Sequence, residues 1–296
     1  MIGIMEQNEQ LKDWTFRYQY VYRLRRTNKQ KQRFLSALAA DIVKMRQDIQ
    51  VIEYKQNKKY ISSNLYVGNI ETADRIICTY YDTPPQGFGP YYLFDRKKQS
   101  KAVTSFILAT SIASLLIGLL LTVLYMRVSN NTFDFASFNT LLIILGYGVY
   151  FYLLSKVAKG LSSRKNLIRN TSSVLSLLTL IQTIKGNKMA FAFVDEGSFG
   201  DMGLDVLKSS CKASAKIYAL DCVGADTELH FMGNFTKEDR LKGVTVHQPS
   251  DNQVSYLFGA RNSIGDHENA YYLKKSDLKK KVLNQKNLTK IIELFN

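Results

Sequence analysis

The sequence predicts an α/β domain with a mostly parallel central sheet, interrupted by an inserted two-helix transmembrane hairpin. Three observations carry this reading. Residues 102–126 and 135–155 contain no charged side chain. Short apolar runs of strand length occur on both sides of that region. Segments with helical periodicity separate those runs, and such alternation builds sheets with helices packed on their faces.

Residues 16–44 are rich in Arg, Lys, Gln, Leu and Ala and contain neither Gly nor Pro. Phe34, Leu35, Leu38, Ile42 and Val43 recur there at helical spacing, so the segment reads as a helix. Residues 48–54, 64–67 and 75–81 read as short strands, with Gly68-Asn69 as a turn. Pro84-Pro85, Gly87 and Gly89 end the last of these in a loop that feeds the first apolar stretch through residues 91–101. A bilayer core needs about 20 apolar residues in a helix, and both stretches reach that length. Residues 127–134 leave room only for a tight connection between them. One such stretch alone would suit a buried core helix, but two joined by a short polar loop read as a membrane hairpin, with helices at about 102–126 and 135–157.

Arg96, Lys97, Lys98 and Lys101 precede the first span, and Lys156, Lys159, Arg164 and Lys165 follow the second. The connecting loop has Arg127 as its one cation, so the positive-inside rule puts both flanks and both termini in the cytoplasm of a multi-pass cell-membrane protein. Tyr125, Tyr147, Tyr150 and Tyr152 suit either the interfaces or the contact between the helices. Asn130-Asn131-Thr132 matches a glycosylation sequon, which is read as chance in so short a loop.

Beyond the hairpin, residues 172–184 form an apolar helix stopping at Gly186. Residues 189–195 are a nearly continuous apolar strand of the kind buried on both faces. Residues 200–210 look helical, 216–223 read as another buried strand, 230–232 and 244–246 as short strands, and 283–295 as a terminal helix. The implied organisation is one discontinuous cytoplasmic domain, 1–101 plus 160–296, with the hairpin inserted at 102–159.

The formal net charge is +15. The cations are spread over the N-terminal segment, the span flanks and residues 274–290, without the basic stripe and stacking aromatics of a nucleic-acid module. An anionic inner leaflet is the partner that suits them. Cys78, Cys211 and Cys222 lack zinc-finger spacing and fit a reducing compartment.

Four segments in order resemble the co-catalytic di-zinc aminopeptidases, which are Zn-dependent exopeptidases with a phosphorylase/hydrolase-like fold. IICTYYDTPP (76–85) is similar to that family's strand ending in His-Tyr-Asp-Thr-Pro. RNTSSVLSLL (169–178) resembles its Asp-Asn-Thr/Ala-Ser-Gly-Val helix opening. MAFAFVDEGSFGDMGL (189–204) resembles its strand ending in Asp-Asn-Glu-Glu, and IYALDCVG (217–224) the next strand. The ends FRYQYVYRLRRTNKQKQRFL and LNQKNLTKII are also similar, so the resemblance spans nearly all of the non-hairpin chain.

The resemblance implies two zinc ions sharing a carboxylate, with a Glu acting as general base on the metal-bound water. In this sequence most of that apparatus is replaced. Tyr80 stands for the first His ligand, and Asp82 for the carboxylate that orients it. Arg169 stands for the bridging Asp, Gly197 and Ser198 for the Glu pair, and Leu273 or Asp277 for the last His. Asp221 alone matches a ligand. A guanidinium stays protonated, so Arg169 is expected to repel metal and to pair with Asp221, directly or through water.

No catalytic residue and no cofactor are therefore expected. The candidate cleft is Tyr80, Asp82, Arg169, Glu196, Ser198 and Asp221, with Arg169 suited to a peptide carboxylate. Cys78, on the same strand face as Tyr80, reads as packing. Ser172-Ser173 reads as a helix cap. His230, His247 and His267 read as surface or loop residues. His267 in GDHE and Ser250-Asp251-Asn252 compete as matches for a family element near the substrate pocket.

The implied function is a membrane-anchored aminopeptidase-like pseudo-enzyme that binds a peptide or protein partner at the inner membrane face. One alternative is an active metallo-aminopeptidase whose zinc is held by Asp82, Asp221 and Glu196 with a relocated His. Another is a structural subunit of a membrane peptide maturation, export or immunity complex, using Asn139, Gly146 and Gly148 on the second span as interface.

Overall fold

The computed structural model describes residues 2–57, 60–128, 137–184, 186, 188–198, 200–233, 243–247, 253–263 and 270–296. The sequon at 130–132, the segment 250–252 and His267 lie outside the described residues. The chain divides into two compact units. Met1–Pro84, Pro90–Arg96 and Ser163–Asn296 form one, and Pro85–Gly89 with Lys97–Ser162 form the other.

The first unit is built on eight strands: β1 (Ile49–Asn57), β2 (Tyr60–Val67), β3 (Arg75–Tyr80), β5 (Met189–Val194), β6 (Lys216–Asp221), β7 (Leu229–Met232), β8 (Thr245–His247) and β9 (Val254–Gly259). They lie in the order β1-β2-β5-β3-β6-β9-β7-β8. The central four, β5, β3, β6 and β9, are mutually parallel. On either side β2 and β7 run antiparallel to them. A separate small sheet joins β10 (Arg261–Ser263), β11 (Ala270–Leu273) and β4 (Tyr91–Tyr92).

Both faces of the large sheet are covered, and the alternation along β5 shows it. Phe191 and Phe193 pack into the core beneath α2 (Asn28–Val43), α5 (Ser172–Thr183) and α8 (Gln285–Phe295), meeting Phe34, Leu177, Ile181 and Ile291. Ala190, Ala192 and Val194 face the opposite layer, where α6 (Met202–Ser210) supplies Leu204 and Leu207. A strand buried on both faces reads as the unbroken apolar run seen in the sequence.

Three expectations are corrected here. The helix expected over 16–44 is confined to α2, Asn28–Val43; the first part of that segment is a π-turn over Arg17–Val21, which follows a separate helix α1 (Ile2–Phe16). Thr27 sets the break. Its hydroxyl accepts from the Gln30 amide at 3.3 Å while the Gln30 side chain accepts from the Thr27 amide at 3.2 Å. This reciprocal cap satisfies two donors that a continuous helix would otherwise have to supply with carbonyls. Ser172-Ser173 does not cap α5. The Ser172 hydroxyl donates back to the Ile168 carbonyl at 2.8 Å, and Ser173 Oγ has no partner. The third is β9, a central strand not anticipated, because VSYLFG is short and follows a polar stretch.

The second unit consists of α3 (Arg96–Val128) from Lys97 onward, α4 (Phe138–Ala158) and the short segment Pro85–Gly89. Both helices are long and apolar enough to cross a membrane, with mean hydropathies of 2.5 and 1.8 and no buried residue in their apolar windows. They touch through Gly118, where an added Cβ would lie 2.3 Å from the Tyr150 hydroxyl. Tyr150 also donates to the Ser114 carbonyl at 3.1 Å, and Thr122 Oγ1 lies 2.6 Å from the Tyr147 hydroxyl. Gly146 and Gly148 face open space, and Asn139 is exposed.

Replacing Thr27 by Ala removes the cap of α2 and is expected to cost about 1 kcal/mol. Chemical unfolding of the two proteins side by side measures it, and an unchanged midpoint would show that the cap does not fix the helix start.

Candidate functional site

Parallel strands gather their carboxyl ends along one edge, which is where open α/β sheets form binding crevices. Here β3, β5 and β6 end in Tyr80, Val194 and Asp221, and Tyr80 lies opposite Val194 in the register. A cavity of about 250 Å³ opens there. Tyr80, Tyr91, Phe94 and Tyr256 give it aromatic walls, and Arg96, Asp201 and Asp221 are its charged residues.

Asp221 is held from several sides. The Tyr80 hydroxyl donates to Oδ1 at 3.1 Å and the Tyr91 hydroxyl to Oδ2 at 3.0 Å. The Cys222 thiol adds a third contact at 3.2 Å. Burial pushes the Asp221 carboxyl upward from its ordinary range, and the thiol, Arg169 and the two phenols oppose that shift. Burial likewise raises both phenols, with the Asp221 charge adding to it.

Arg169 is 6 % exposed, and its guanidinium sits over the Tyr91 ring, 3.9 Å from the centroid. Its Nε and Nη2 have no hydrogen-bond partner. Burial works against its charge, but Tyr91, Tyr80 and Asp221 outweigh it, and the pKa is raised. The expected Arg169–Asp221 pairing is therefore not a direct contact. The tyrosines take the carboxylate, and Arg169 reaches it as a neighbouring charge through the Tyr91 ring.

Backbone geometry ties these residues together. Cys222 has φ +53°; its amide donates to the Arg169 carbonyl at 3.3 Å, and its sulfur lies 3.2 Å from the same oxygen. Glu196 has φ +59° and Phe94 φ +65°. These are the non-glycine residues with positive φ among the described residues, and all three adjoin or line the cavity. Such conformations cost about 1–3 kcal/mol each and persist where surrounding contacts enforce them. At Gly197 an added Cβ would fall 2.2 Å from Tyr80 Cβ, so glycine lets the Tyr80 ring lie against the turn.

Behind the cavity wall lies a second buried polar cluster. The Ser198 amide donates to both Asp82 oxygens, at 3.1 and 3.2 Å. Burial, reinforced by the Asp195 charge, lifts the Asp82 carboxyl to about 6, against the opposing pull of Lys31 and the Ser198 donors. Lys31 pairs with Asp195 at 2.7 Å. Arg25 is fully buried and donates to Asn170 at 2.9 Å and Thr171 at 2.6 Å, while burial depresses its pKa to about 10. Asn170 in turn donates to the Asp82 carbonyl at 2.6 Å.

Of the six residues named from sequence, Tyr80 and Asp221 line the cavity together. Asp82, Arg169 and Ser198 are buried behind it, and Glu196 accepts from Ser62 at 2.7 Å. Arg96 is the cation among the lining residues, a position the sequence reading gave to Arg169. Its guanidinium donates to the Gly197 carbonyl at 2.8 Å and pairs with Asp201. Leu273 lies beside the site, opposite Tyr91 in the register, whereas Asp277 is held by Arg261 at 2.8 Å. Cys78 lines the cavity and is buried. The sequence reading missed Tyr91, Phe94, Arg96 and Tyr256. For Tyr91 and Phe94 the advance signal was the aromatic cluster YYLF at 91–94.

No group of three or more His, Cys, Asp or Glu side chains is placed to hold a metal ion among the described residues. At Asp221 two phenols hydrogen-bond to the carboxylate oxygens, and a buried guanidinium stands one ring away.

No protein-family profile matches the chain, and no curated protein matches it significantly. Among solved structures it is similar to the LapA aminopeptidase of Legionella pneumophila, at 12% identity over 97% of this chain and 69% of that one, with a TM-score of 0.50. A glutaminyl cyclase of Porphyromonas gingivalis matches at 11% identity over 97% and 95% of the two chains, with a TM-score of 0.48. A Zn-dependent exopeptidase of Parabacteroides distasonis matches at 10% identity over 96% and 95%, also at 0.48. The likeness to LapA is one of fold. This chain shares the α/β fold of that structure.

The raised Asp82 carboxyl gives an inverted pH dependence. Its folded pKa exceeds the unfolded value, so its ionisation disfavours the folded state. Lowering the pH through 6 relieves that cost, and the relief is complete below the unfolded carboxylate value. Between pH 7.5 and 5 this adds about 1 kcal/mol of relative stability. Asp82→Asn is expected to remove that increment in paired unfolding measurements. An identical pH dependence in the two proteins would contradict it.

Proposed function

We propose that this protein is a membrane-anchored, aminopeptidase-like pseudo-enzyme that binds a peptide or the end of a protein partner in the Asp221 cleft. The observation that carries the reading is the capture of the Asp221 carboxylate by Tyr80 and Tyr91, with the Arg169 guanidinium stacked on Tyr91. A zinc hydrolase needs its carboxylates free to meet a dication and a metal-bound water nearby. Here the carboxylate meets phenols and a fixed cation, so the cleft keeps its shape and loses that chemistry.

Binding remains available to it. Aromatic walls with a few convergent polar groups are the usual make-up of a small-ligand site. Arg96 is half-exposed at the cavity and is the cation nearest an incoming peptide carboxylate. In membrane terms, α3 and α4 expose continuous apolar surface, which is favourable in lipid and a liability in water. The flanking cations favour an orientation with both termini in the cytoplasm and the cleft-bearing unit on the inner face. The +15 charge then serves the anionic leaflet, not nucleic acid.

Two measurements on protein in lipid nanodiscs test this reading. Aminoacyl-anilide substrates with added zinc are expected to show no turnover. A synthetic hexapeptide library is expected to yield retained members by mass spectrometry, and Ala219→Phe, which fills the cavity, is expected to weaken their binding by about tenfold or more, about 1.4 kcal/mol. Turnover that disappears in Asp221→Asn would overturn the reading, as would peptide retention that Ala219→Phe leaves unchanged.

A further inference from the structure

His230 and His247 meet outside the cleft, on the neighbouring parallel strands β7 and β8. Met232 lies opposite His247 in the register, and His230 opposite Thr245. His230 is two strands across from Asp221, since Asp221 pairs with Phe258 and Phe258 with His230. Phe258 thus separates the two places, and its ring stacks on His230 with centroids 5.3 Å apart. Tyr271 packs against both imidazoles, at 5.4 and 5.2 Å.

The hydrogen bonds fix which nitrogen of His230 is free. Nε2 lies 3.1 Å from the Ala260 carbonyl oxygen, and Nδ1 lies 3.2 Å from His247 Nε2. A carbonyl only accepts, so Nε2 carries the proton and Nδ1 presents a lone pair. His230 is 1 % exposed and locked between rings, so the lone pair has one direction, toward His247.

This arrangement has the features of a half-built metal site. Imidazoles that bind metals donate their other N–H to a carbonyl or carboxylate, which fixes tautomer and ring orientation. His230 does so at Ala260. Two nitrogens bonded to one tetrahedral zinc at about 2.0–2.1 Å lie about 3.3 Å apart, close to the separation found here. A neutral His247 reaches the same state by holding its proton on Nδ1 and turning a second lone pair inward. We propose that His230 Nδ1 and His247 Nε2 form a chelating pair for a divalent transition-metal ion of the zinc and copper class, with water completing the coordination. Imidazole suits those ions and not magnesium or calcium. Bound there, the ion would clip edge strand β8 to β7, and it would do so independently of the chemistry at Asp221.

The test is calorimetric titration with zinc chloride at pH 7.5, using the full chain purified without a polyhistidine tag. The wild type is expected to bind one zinc per chain at this pair. His247→Asn, on the more open edge strand, and His230→Gln are each expected to weaken binding by about tenfold or more. Thermal unfolding without zinc confirms that the variants are folded, and His247→Asn alone decides the matter if His230→Gln is not. Asp221→Asn is expected to bind zinc as the wild type does. No binding to the wild type at millimolar zinc would overturn the proposal. So would binding unchanged in His247→Asn, loss confined to His267→Asn, or loss in Asp221→Asn with retention in His247→Asn.

Discussion

The Asp221 carboxylate ends a central parallel strand, and the neighbouring groups are those that its charge requires. Strand β3 brings Tyr80, strand β4 brings Tyr91, and Cys222 turns back through a left-handed conformation to reach the Arg169 carbonyl. A poorly solvated carboxylate needs donors, and a buried guanidinium needs negative or π-rich neighbours. Tyr91 supplies both, with its hydroxyl toward Asp221 and its ring face toward Arg169. Each group therefore depends on the others. Gly197 must lack a side chain for Tyr80 to lie where it does, and Leu273 holds the strand beside Tyr91.

A second buried layer supports the first. Arg25, Asn170 and Thr171 sit under the strand end that carries Asp82, and Asn170 binds the Asp82 carbonyl. Two buried carboxylates, Asp82 and Asp195, lie close enough to raise the Asp82 pKa, with Lys31 offsetting the pair. A network of this kind gives little net stability but penalises any arrangement that leaves one member unpaired. The strand ends that form the cleft are thereby held in one geometry.

Much of the scaffold was legible in the sequence because burial leaves periodic marks. MAFAFV has no polar residue because both faces of β5 are covered, and the uncharged stretches announce α3 and α4. Strand β9 was missed because six residues after a polar stretch carry too little pattern. Thr27 was missed as a helix start because the flanking basic run looks continuous. At the site, Tyr80, Asp82, Arg169 and Asp221 were found through their places in four ordered segments. Tyr91, Phe94, Arg96 and Tyr256 were not, because they reach the cleft from a two-residue strand, a loop, the start of α3 and a central strand with no local motif. The expectation that Arg169 pairs with Asp221, directly or through water, did not foresee Tyr91 beside both, since that tyrosine is remote in sequence from each. The His230–His247 contact joins residues on two short strands and left no periodic mark at all.

The central claim is that phenols and a guanidinium, not a dication, neutralise Asp221. Anomalous diffraction at the zinc edge, from crystals grown with excess zinc, tests it most directly. The account predicts Tyr80 and Tyr91 hydroxyls on the Asp221 carboxylate and no zinc peak within bonding distance of it. A zinc ion bonded to Asp221, with the two hydroxyls displaced, would contradict it.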